Sequence, residues 1–231
     1  KNNFGRQVLI VLKNKELILD AEGASDEGDM PLIQTFDITT GKTTKLWQCK
    51  APYYEYLVKL IDPVKFKFIT ARESQTEITN YYLHSTVKKQ LIEKALTAFE
   101  NPYKLLDGVK RQKITYKRSD GITLSGNLYL PKDYDATRDG KLPILMWAYP
   151  IEYKSAADAS QVRGSKNTFT KPSYGSPVLW VTQGYAVLDN AEMPIVGENG
   201  NEPNDNFIPQ LYMNAHAAIQ KLEELGVGTA L

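Results

Sequence analysis

The chain has 231 residues, of which 42% are hydrophobic and 24% are charged, a balance typical of a globular protein with one large or two small domains. Its 28 basic and 27 acidic residues leave a net charge of +1, so the sequence predicts neither a nucleic-acid nor a membrane partner. Apolar runs are too short to span a bilayer, and the first residues lack the order of a signal peptide. We therefore expect a soluble protein of the cytoplasm or the periplasm, although a first residue of Lys1 leaves room for an upstream segment.

Cysteine and histidine are too scarce for the usual metal centres. Cys49 is the only cysteine, which excludes an internal disulfide and a cysteine-based cluster. Lys50 could lower the pKa of this thiol, but no histidine nearby in sequence could activate it. The two histidines, His84 and His216, are too far apart in sequence for a zinc motif. The sequence therefore predicts no metal and no cofactor.

Residues 1–108 show the pattern of consecutive antiparallel strands, in which short apolar segments alternate with turn residues. The predicted strands are Gln7–Leu12, Glu16–Leu19, Leu32–Asp37, Thr43–Gln48, Tyr53–Ile61, Phe66–Ala71, Thr79–His84 and Gln90–Ala95. The last strand could instead belong to a short helix over 90–99. Two hairpins repeat at an interval of 47 residues, from Asp37 to His84, which is close to the period of propeller blades. We predict about two blades of a β-propeller, with the blades that would close the ring upstream.

Residues 109–231 follow a proline- and glycine-containing segment and predict a second, α/β domain. A hairpin of Arg111–Lys117 and Ile122–Leu130 precedes a strand over Ile144–Ala148, which we expect to be buried on both faces and to end at Tyr149. The remaining predicted elements are a long loop over Ile151–Lys171, a short helix over Ser176–Gln183, a buried strand over Tyr185–Asp189, a loop over Glu192–Asn206 and an amphipathic helix over Phe207–Leu225.

Tyr149 is the first candidate for a functional residue. Ligands of open α/β sheets bind outside the carboxyl ends of the strands, where this tyrosine is expected. From this stretch alone, Tyr149 could equally be a packing residue that caps a core strand with its hydroxyl in water.

Motifs along most of the chain resemble the prolyl oligopeptidase family of serine peptidases, in its glutamyl-endopeptidase-like branch. The segments that carry the resemblance are Arg72–Ser74, Asn80–Leu83, Lys117–Gly121, Leu124–Gly126, Leu128–Pro131, Trp147–Pro150, Glu152–Ser155, Met193–Gly197, Asn204–Asp205 and Ala217–Ile219. The resemblance implies the last blades of a β-propeller over 1–108, followed by the first half of an α/β-hydrolase sheet over 109–231.

The resemblance also implies roles for three residues. Tyr149 matches the tyrosine that donates a hydrogen bond to the oxyanion of the tetrahedral intermediate, a donor aimed at charge that develops in the transition state. Lys154 and Arg163, in the loop after the strand, could pair with an acidic side chain of the substrate, although a solvated loop is an equal alternative.

One departure from the family pattern decides the expected activity. The family's nucleophile lies in a G-x-S-x-G motif followed by an acid and a histidine, and no serine of this chain has that context. We therefore expect a segment of a peptidase whose triad lies beyond Leu231, inactive alone and prone to self-association through incomplete sheets. The alternatives are a non-catalytic peptide- or protein-binding module, or an esterase or acylaminoacyl hydrolase, on the same scaffold.

Overall fold

The computed structural model describes residues 9, 11–12, 14–25, 28–161, 164–197 and 202–228. The chain divides into two compact units, which we call the first unit and the second unit. The first unit comprises Lys1–Pro102 together with Arg163–Thr170, and the second comprises Tyr103–Val162 and Lys171–Leu231. A short stretch of the chain's second half is therefore built into the first unit.

The first unit contains two antiparallel sheets, with strand orders β1-β2-β3 and β4-β5-β6-β7. The strands are β1 (Glu16–Ala21), β2 (Leu32–Asp37), β3 (Thr43–Gln48), β4 (Tyr54–Asp62), β5 (Lys67–Glu73), β6 (Asn80–Val87) and β7 (Gln90–Ala95). Residues 90–95 thus form a strand and not the beginning of a helix. Residues 7, 8 and 10 of the predicted strand Gln7–Leu12 lie outside the described residues.

The core of the first unit forms where the period-2 pattern turns aromatic and aliphatic side chains inward. Phe68 on β5 and Ile33 on β2 are fully buried. Trp47, near the end of β3, makes edge contacts with Phe68 and with His84 at centroid distances of 5.8 and 5.9 Å. Burial of these side chains holds the three-stranded and four-stranded sheets of this unit together.

The second unit contains one four-stranded sheet, with the order β10-β11-β9-β8. Its strands are β8 (Lys110–Lys117), β9 (Thr123–Leu130), β10 (Ile144–Tyr153) and β11 (Ala186–Val196), and its helices are α1 (Ala136–Asp139), α2 (Ala156–Ala159) and α3 (Phe207–Glu224). Strands β10 and β11 are parallel, whereas the β11–β9 and β9–β8 pairs are antiparallel. Three 3₁₀ segments complete the described elements: Lys104–Leu106, Pro177–Gln183 and Pro203–Asn206.

Both faces of the second unit's sheet are partly covered. Helix α3 packs Ala218 and Leu222 against a cluster that includes Leu124, Leu128 and Leu188. On the other face, the 3₁₀ segment Pro177–Gln183 packs Val178 and Val181 against Tyr129 and Val187. The segment ends at Gly184, whose φ of 84° is a backbone conformation that glycine adopts without a steric penalty.

The structure is mostly β-sheet with few helices, and none of the three sheets closes on itself in the described part of the chain. Two of the predicted strands were wrong in extent or burial. Strand β10 continues through Tyr149 to Tyr153 and is only partly buried, because it is the edge strand of its described sheet. Strand β11 extends to Val196, so Glu192–Val196 is strand and not loop. The short helix predicted over Ser176–Gln183 is present as the 3₁₀ segment Pro177–Gln183.

Candidate active site

Tyr149 lies in the middle of β10 with its side chain in solvent. It is 82% exposed, although it is part of a strand that pairs with β11 over nine residue positions. Among the residues that the structure describes, none is hydrogen-bonded to its hydroxyl. A rigid backbone therefore presents a phenolic donor that is available to a ligand.

Two further large side chains flank Tyr149 on the same face of β10. Side chains alternate along a strand, so Trp147 and Ile151 point the same way as Tyr149, and they are 58% and 50% exposed. This alternation persists because the irregularity in the β10–β11 pairing, between Met146 and Ala148, adds its extra residue to β11. The sequence analysis did not single out Trp147 and Ile151, although period 2 around Tyr149 was a signal that could have found them.

Glu192 is the register partner of Tyr149 on β11, and its carboxylate fixes this part of the sheet. Strands β11 and β9 pair only from Val187 to Asp189, because Asn190 adopts a positive φ of 51° and turns β11 away. Beyond that point Glu192 Oε2 accepts a hydrogen bond of 2.6 Å from the backbone N–H of Ser125 on β9. A side chain thus takes the place of the missing ladder partner.

A buried arginine supports the rest of β11. The Arg118 side chain is 1% exposed and donates from Nη1 to the carbonyl oxygen of Pro194 and to Asn214 Oδ1, at 3.0 and 2.9 Å. Gln210 on α3 accepts from the backbone N–H of Val196 and donates to its carbonyl oxygen, both at 2.9 Å. Polar side chains therefore pair the backbone of β11 where β9 no longer does.

Burial raises the pKa of two ionisable side chains in the second unit's sheet, Tyr116 and Asp189. Burial, followed by the charge of Glu192, raises the pKa of Tyr116 above its ordinary range, and the Tyr116 hydroxyl has no hydrogen-bond partner among the described residues. Burial likewise raises the pKa of Asp189. Tyr116 is buried and Asp189 is half-buried, whereas Tyr149 stands in solvent.

The two basic candidates have different outcomes. Lys154 directly follows β10 and is exposed. Along a strand, Tyr149 and Tyr153 are separated by roughly 13 Å, so Lys154 could contact a different part of the same ligand but not the same atom. Arg163 lies outside the described residues.

A hydroxyl, a histidine and a carboxylate do meet in the first unit, but they do not form a nucleophilic triad. Thr70 Oγ1 donates to Glu55 Oε1 at 2.5 Å, and His84 Nε2 lies 2.9 Å from both oxygens. The one hydroxyl proton of Thr70 goes to the carboxylate, so Nε2 of His84 must be a donor and cannot act as the base. Thr70 is also fully buried, and the cluster is structural.

The remaining candidate nucleophiles and ligands make contacts that do not suggest catalysis. His216 is exposed on α3 and stacks on Tyr212 at 5.9 Å, and Ser165 forms an isolated bridge with Gly28 in the first unit. Burial raises the pKa of the Cys49 thiol, which is the opposite of the effect considered for Lys50. Over the described ranges, no group of three or more histidine, cysteine, aspartate or glutamate residues is arranged to hold a metal ion. No helix among them is long and apolar enough to cross a membrane.

Comparisons with known proteins place this fold among peptidases. The fold is similar to that of the AtxE2 isopeptidase, in a variant with astexin3-dC4 bound, with a TM-score of 0.55 and 16% identity over 92% of this chain and 31% of that one. It is also similar to the acylaminoacyl peptidase of Pyrococcus horikoshii, with a TM-score of 0.51 and 15% identity over 95% of this chain and 31% of that one. No protein-family model matches the sequence.

Two plant relatives narrow the class. A probable chloroplastic glutamyl endopeptidase of Oryza sativa subsp. japonica is 40% identical over 224 residues, covering 93% of this chain and 24% of the relative. The corresponding protein of Arabidopsis thaliana is 37% identical over 241 residues, covering 98% of this chain and 25% of the relative. These relatives support the resemblance to the glutamyl-endopeptidase-like branch of the prolyl oligopeptidase family, and the chain spans about a quarter of their length.

Proposed function

We propose that this chain is the part of a serine peptidase that supplies the oxyanion donor, Tyr149, for peptide-bond hydrolysis through an acyl-enzyme. The observation that carries the proposal is the Tyr149 hydroxyl, exposed on a paired strand and bonded to no described residue. A donor held by the backbone needs no reorganisation when the tetrahedral intermediate forms, and such donors stabilise the oxyanion most where water is excluded.

The scaffold that we propose follows from the topology. The sheet order β10-β11-β9-β8, with one parallel pair and an antiparallel hairpin, supports the front half of an α/β-hydrolase sheet. The antiparallel meander β4-β5-β6-β7 supports one propeller blade, and β1-β2-β3 supports most of another. Strand β3 and strand β7 lie at the same interval of 47 residues that the sequence repeat indicated, from Thr43 to Gln90.

Removal of the Tyr149 hydroxyl tests the proposed role. In the longer peptidase to which we assign this chain, we expect Tyr149→Phe to lower kcat by roughly a hundred- to a thousandfold with little change in KM, the effect of losing one oxyanion donor. Tyr212→Phe, which removes another exposed hydroxyl on α3, is the control and should leave kcat unchanged. A Tyr149→Phe enzyme with unchanged kcat would refute the assignment.

The chain alone should not carry out the reaction. Among the described residues, no serine hydroxyl is hydrogen-bonded to a histidine, so we expect no covalent labelling of the purified 231-residue chain by a fluorophosphonate probe. Labelling that is lost on boiling the protein first would show a nucleophile in this chain and overturn the proposed division of the active site.

We also assign Lys154 and Arg163 to the recognition of an acidic substrate side chain. The support is that Lys154 is exposed directly after β10 and that the plant relatives are named glutamyl endopeptidases. In the longer peptidase, Lys154→Gln should raise KM for peptides with glutamate at the cleaved bond more than for matched glutamine peptides. Lys171→Gln, a lysine later in the same sequence region, is the control. An equal change for both peptides would contradict this role.

The non-catalytic binding module keeps one specific observation in its favour, because Trp147 and Ile151 form an exposed apolar strip beside Tyr149. The sequence downstream of Leu231 discriminates between the two functions. A G-x-S-x-G motif followed by an aspartate and a histidine favours a hydrolase, and profiling with peptide and ester substrates then separates a peptidase from an esterase.

A further inference from the structure

The first unit holds an irregular segment that comes from the second half of the sequence. The segment is 164–170, which we call the strap. In sequence it stands between two stretches that belong to the second unit, Tyr103–Val162 and Lys171–Leu231. It contains neither a helix nor a named strand. Its place in the first unit therefore depends on individual contacts with that unit.

The beginning of the strap is held in both directions by one residue. The Asp29 backbone N–H donates to the carbonyl oxygen of Gly164 at 3.1 Å, and the Gly164 N–H donates back to Asp29 Oδ2 at 2.9 Å. Next to this pair, Gly28 and Ser165 form an isolated antiparallel bridge. The approach is so close that a Cβ on Gly28 would lie 2.2 Å from the carbonyl oxygen of Gly164.

The rest of the strap meets the end of β5 and the start of β4. Gln75 Nε2 donates to the carbonyl oxygen of Lys166 at 2.8 Å, and the N–H of Phe169 donates to Glu73 Oε1 at 3.2 Å. Asn167 Nδ2 donates to the carbonyl oxygen of Tyr53 at 3.4 Å. Glu73 is 5% exposed, and its other oxygen accepts from the hydroxyl of Thr79, so the carboxylate is fixed in place before it receives the strap.

We infer that Asp29, Tyr53, Glu73 and Gln75 form a recognition surface for an irregular main-chain segment, the strap surface, and that residues 164–170 of this chain are its built-in occupant. Two carboxylates accept strap N–H groups, and bonds of this kind to a charged acceptor are stronger than neutral ones. Most of these hydrogen bonds involve main-chain groups of the strap, at Gly164, Lys166 and Phe169. Docking of the strap therefore depends more on its backbone geometry than on the identity of its side chains. This inference does not depend on the proposed peptidase function.

Docking makes the strap a local unit with its own opening equilibrium. Residues 154–161 follow β10 and precede the strap in sequence, and the strap is held at Gly164. Release of the strap would therefore remove the constraint on the carboxyl-terminal end of residues 154–161. Because two of the hydrogen bonds that hold the strap are accepted by carboxylates, Asp29 and Glu73 should each contribute a large share of its protection against amide hydrogen exchange.

Hydrogen exchange of the 231-residue chain tests the inference. We expect Asp29→Asn and Glu73→Gln each to accelerate exchange over 164–170 by roughly ten- to a hundredfold, the effect of weakening a bond to a charged acceptor. Exchange in β8–β11 and α3 should stay as in the unmodified chain. Glu77→Gln is the matched control, since this carboxylate meets the Tyr53 hydroxyl and has no contact with the strap among the hydrogen bonds above. A strap that already exchanges like an unfolded peptide in the unmodified chain would overturn the inference, as would variants that change nothing.

Two glycine variants distinguish a steric clash with the strap from strain in the backbone of the first unit. Gly28 and Gly41 both have positive φ, 100° and 72°, but a Cβ on Gly41 would meet nothing within 4 Å. Gly28→Ala should therefore accelerate exchange of the strap, and Gly41→Ala should not. Equal acceleration by both substitutions would assign the effect to strain in the first unit and would contradict docking at Gly28.

Discussion

Arg118 shows how one side chain organises the second unit. Besides its bonds to Pro194 and Asn214, it donates from Nε and Nη2 to the carboxylate of Asp120, at 2.9 and 2.6 Å, and from Nη2 to Gln210 at 3.2 Å. All five N–H groups of the guanidinium thus have an acceptor. A buried charge is tolerated here because every donor is satisfied, and β11 and α3 share the same arginine.

We expect Arg118→Ala to lower the free energy of unfolding by roughly 3–5 kcal/mol, because it removes buried hydrogen bonds to Pro194 and Gln210 and leaves the buried Oδ1 of Asn214 without a donor. Urea titration followed by circular dichroism measures the change. The control is Arg138→Ala, which removes an exposed arginine paired with Asp139 and should leave the titration midpoint unchanged. An Arg118→Ala chain as stable as the unmodified one would mean that the buried cluster contributes no net stability.

At the residue scale, local motifs predicted Tyr149 but not the side chains that support its sheet. The Arg118–Asn214 and Ser125–Glu192 bonds join residues 96 and 67 positions apart, and no periodic pattern links them in the sequence. The change of direction at Asn190 was also invisible, since a positive φ at asparagine depends on its surroundings. Contacts of this kind are set by tertiary structure and not by local preference.

The four-stranded sheet β4-β5-β6-β7 is stabilised across its strands by one ionic network. Arg72 on β5 donates from Nε to Glu55 Oε2 at 2.7 Å and binds both oxygens of Glu93 on β7, while its guanidinium lies 4.1 Å from the ring centroid of Tyr82. Burial opposes the ionisation of Glu55, but hydrogen bonds from His84, Arg72 and Thr70 outweigh it and hold its pKa below 4.5. The network borders a cavity of about 670 Å³ that Trp47 and Ile92 also line.

The depressed pKa of Glu55 makes this sheet sensitive to acid. A carboxyl whose pKa is lower in the folded than in the unfolded state stabilises the fold above the unfolded value of 4.5, and this contribution is lost as the pH falls through the folded value. We expect Glu55→Gln to lower the Tm at pH 7 and to flatten the decrease of Tm below pH 4.5. Calorimetry from pH 7 to pH 3 measures both effects. Glu100→Gln should follow the unmodified chain at every pH, and a Glu55→Gln chain with the same acid dependence would exclude Glu55 as its source.

Strand and helix positions were largely predictable, whereas burial was not. The β2–β3 hairpin and the residues of α3 follow from period-2 and period-3.6 patterns that act locally. The apolar run Ile144–Ala148 suggested burial on both faces, but burial depends on neighbouring strands, and β10 has one described neighbour. The strap lay within the predicted long loop Ile151–Lys171, and its contacts with Asp29 and Glu73 could not be predicted without the tertiary structure.

At the scale of the whole molecule, the unpaired edge of β10 is the surface through which we expect the chain to self-associate. One side of this strand has no pairing partner in the described part of the chain, and Trp147, Tyr149 and Ile151 leave apolar surface exposed on one face. Unpaired strand edges with exposed apolar residues are templates for pairing with another chain. Relatives about four times as long have further sequence that could cover such an edge.

We therefore expect the purified chain to self-associate with increasing concentration, and Ile151→Lys to shift it toward the monomer by placing a charge on the exposed face of the edge strand. Sedimentation velocity over a hundredfold range of concentration measures the shift. Val64→Lys is the control, because Val64 is 81% exposed in a turn of the first unit and does not belong to this strand. If Val64→Lys dissociates the chain and Ile151→Lys does not, association runs through the first unit. A chain that remains monomeric at every concentration would show that the edge of β10 is protected without a partner.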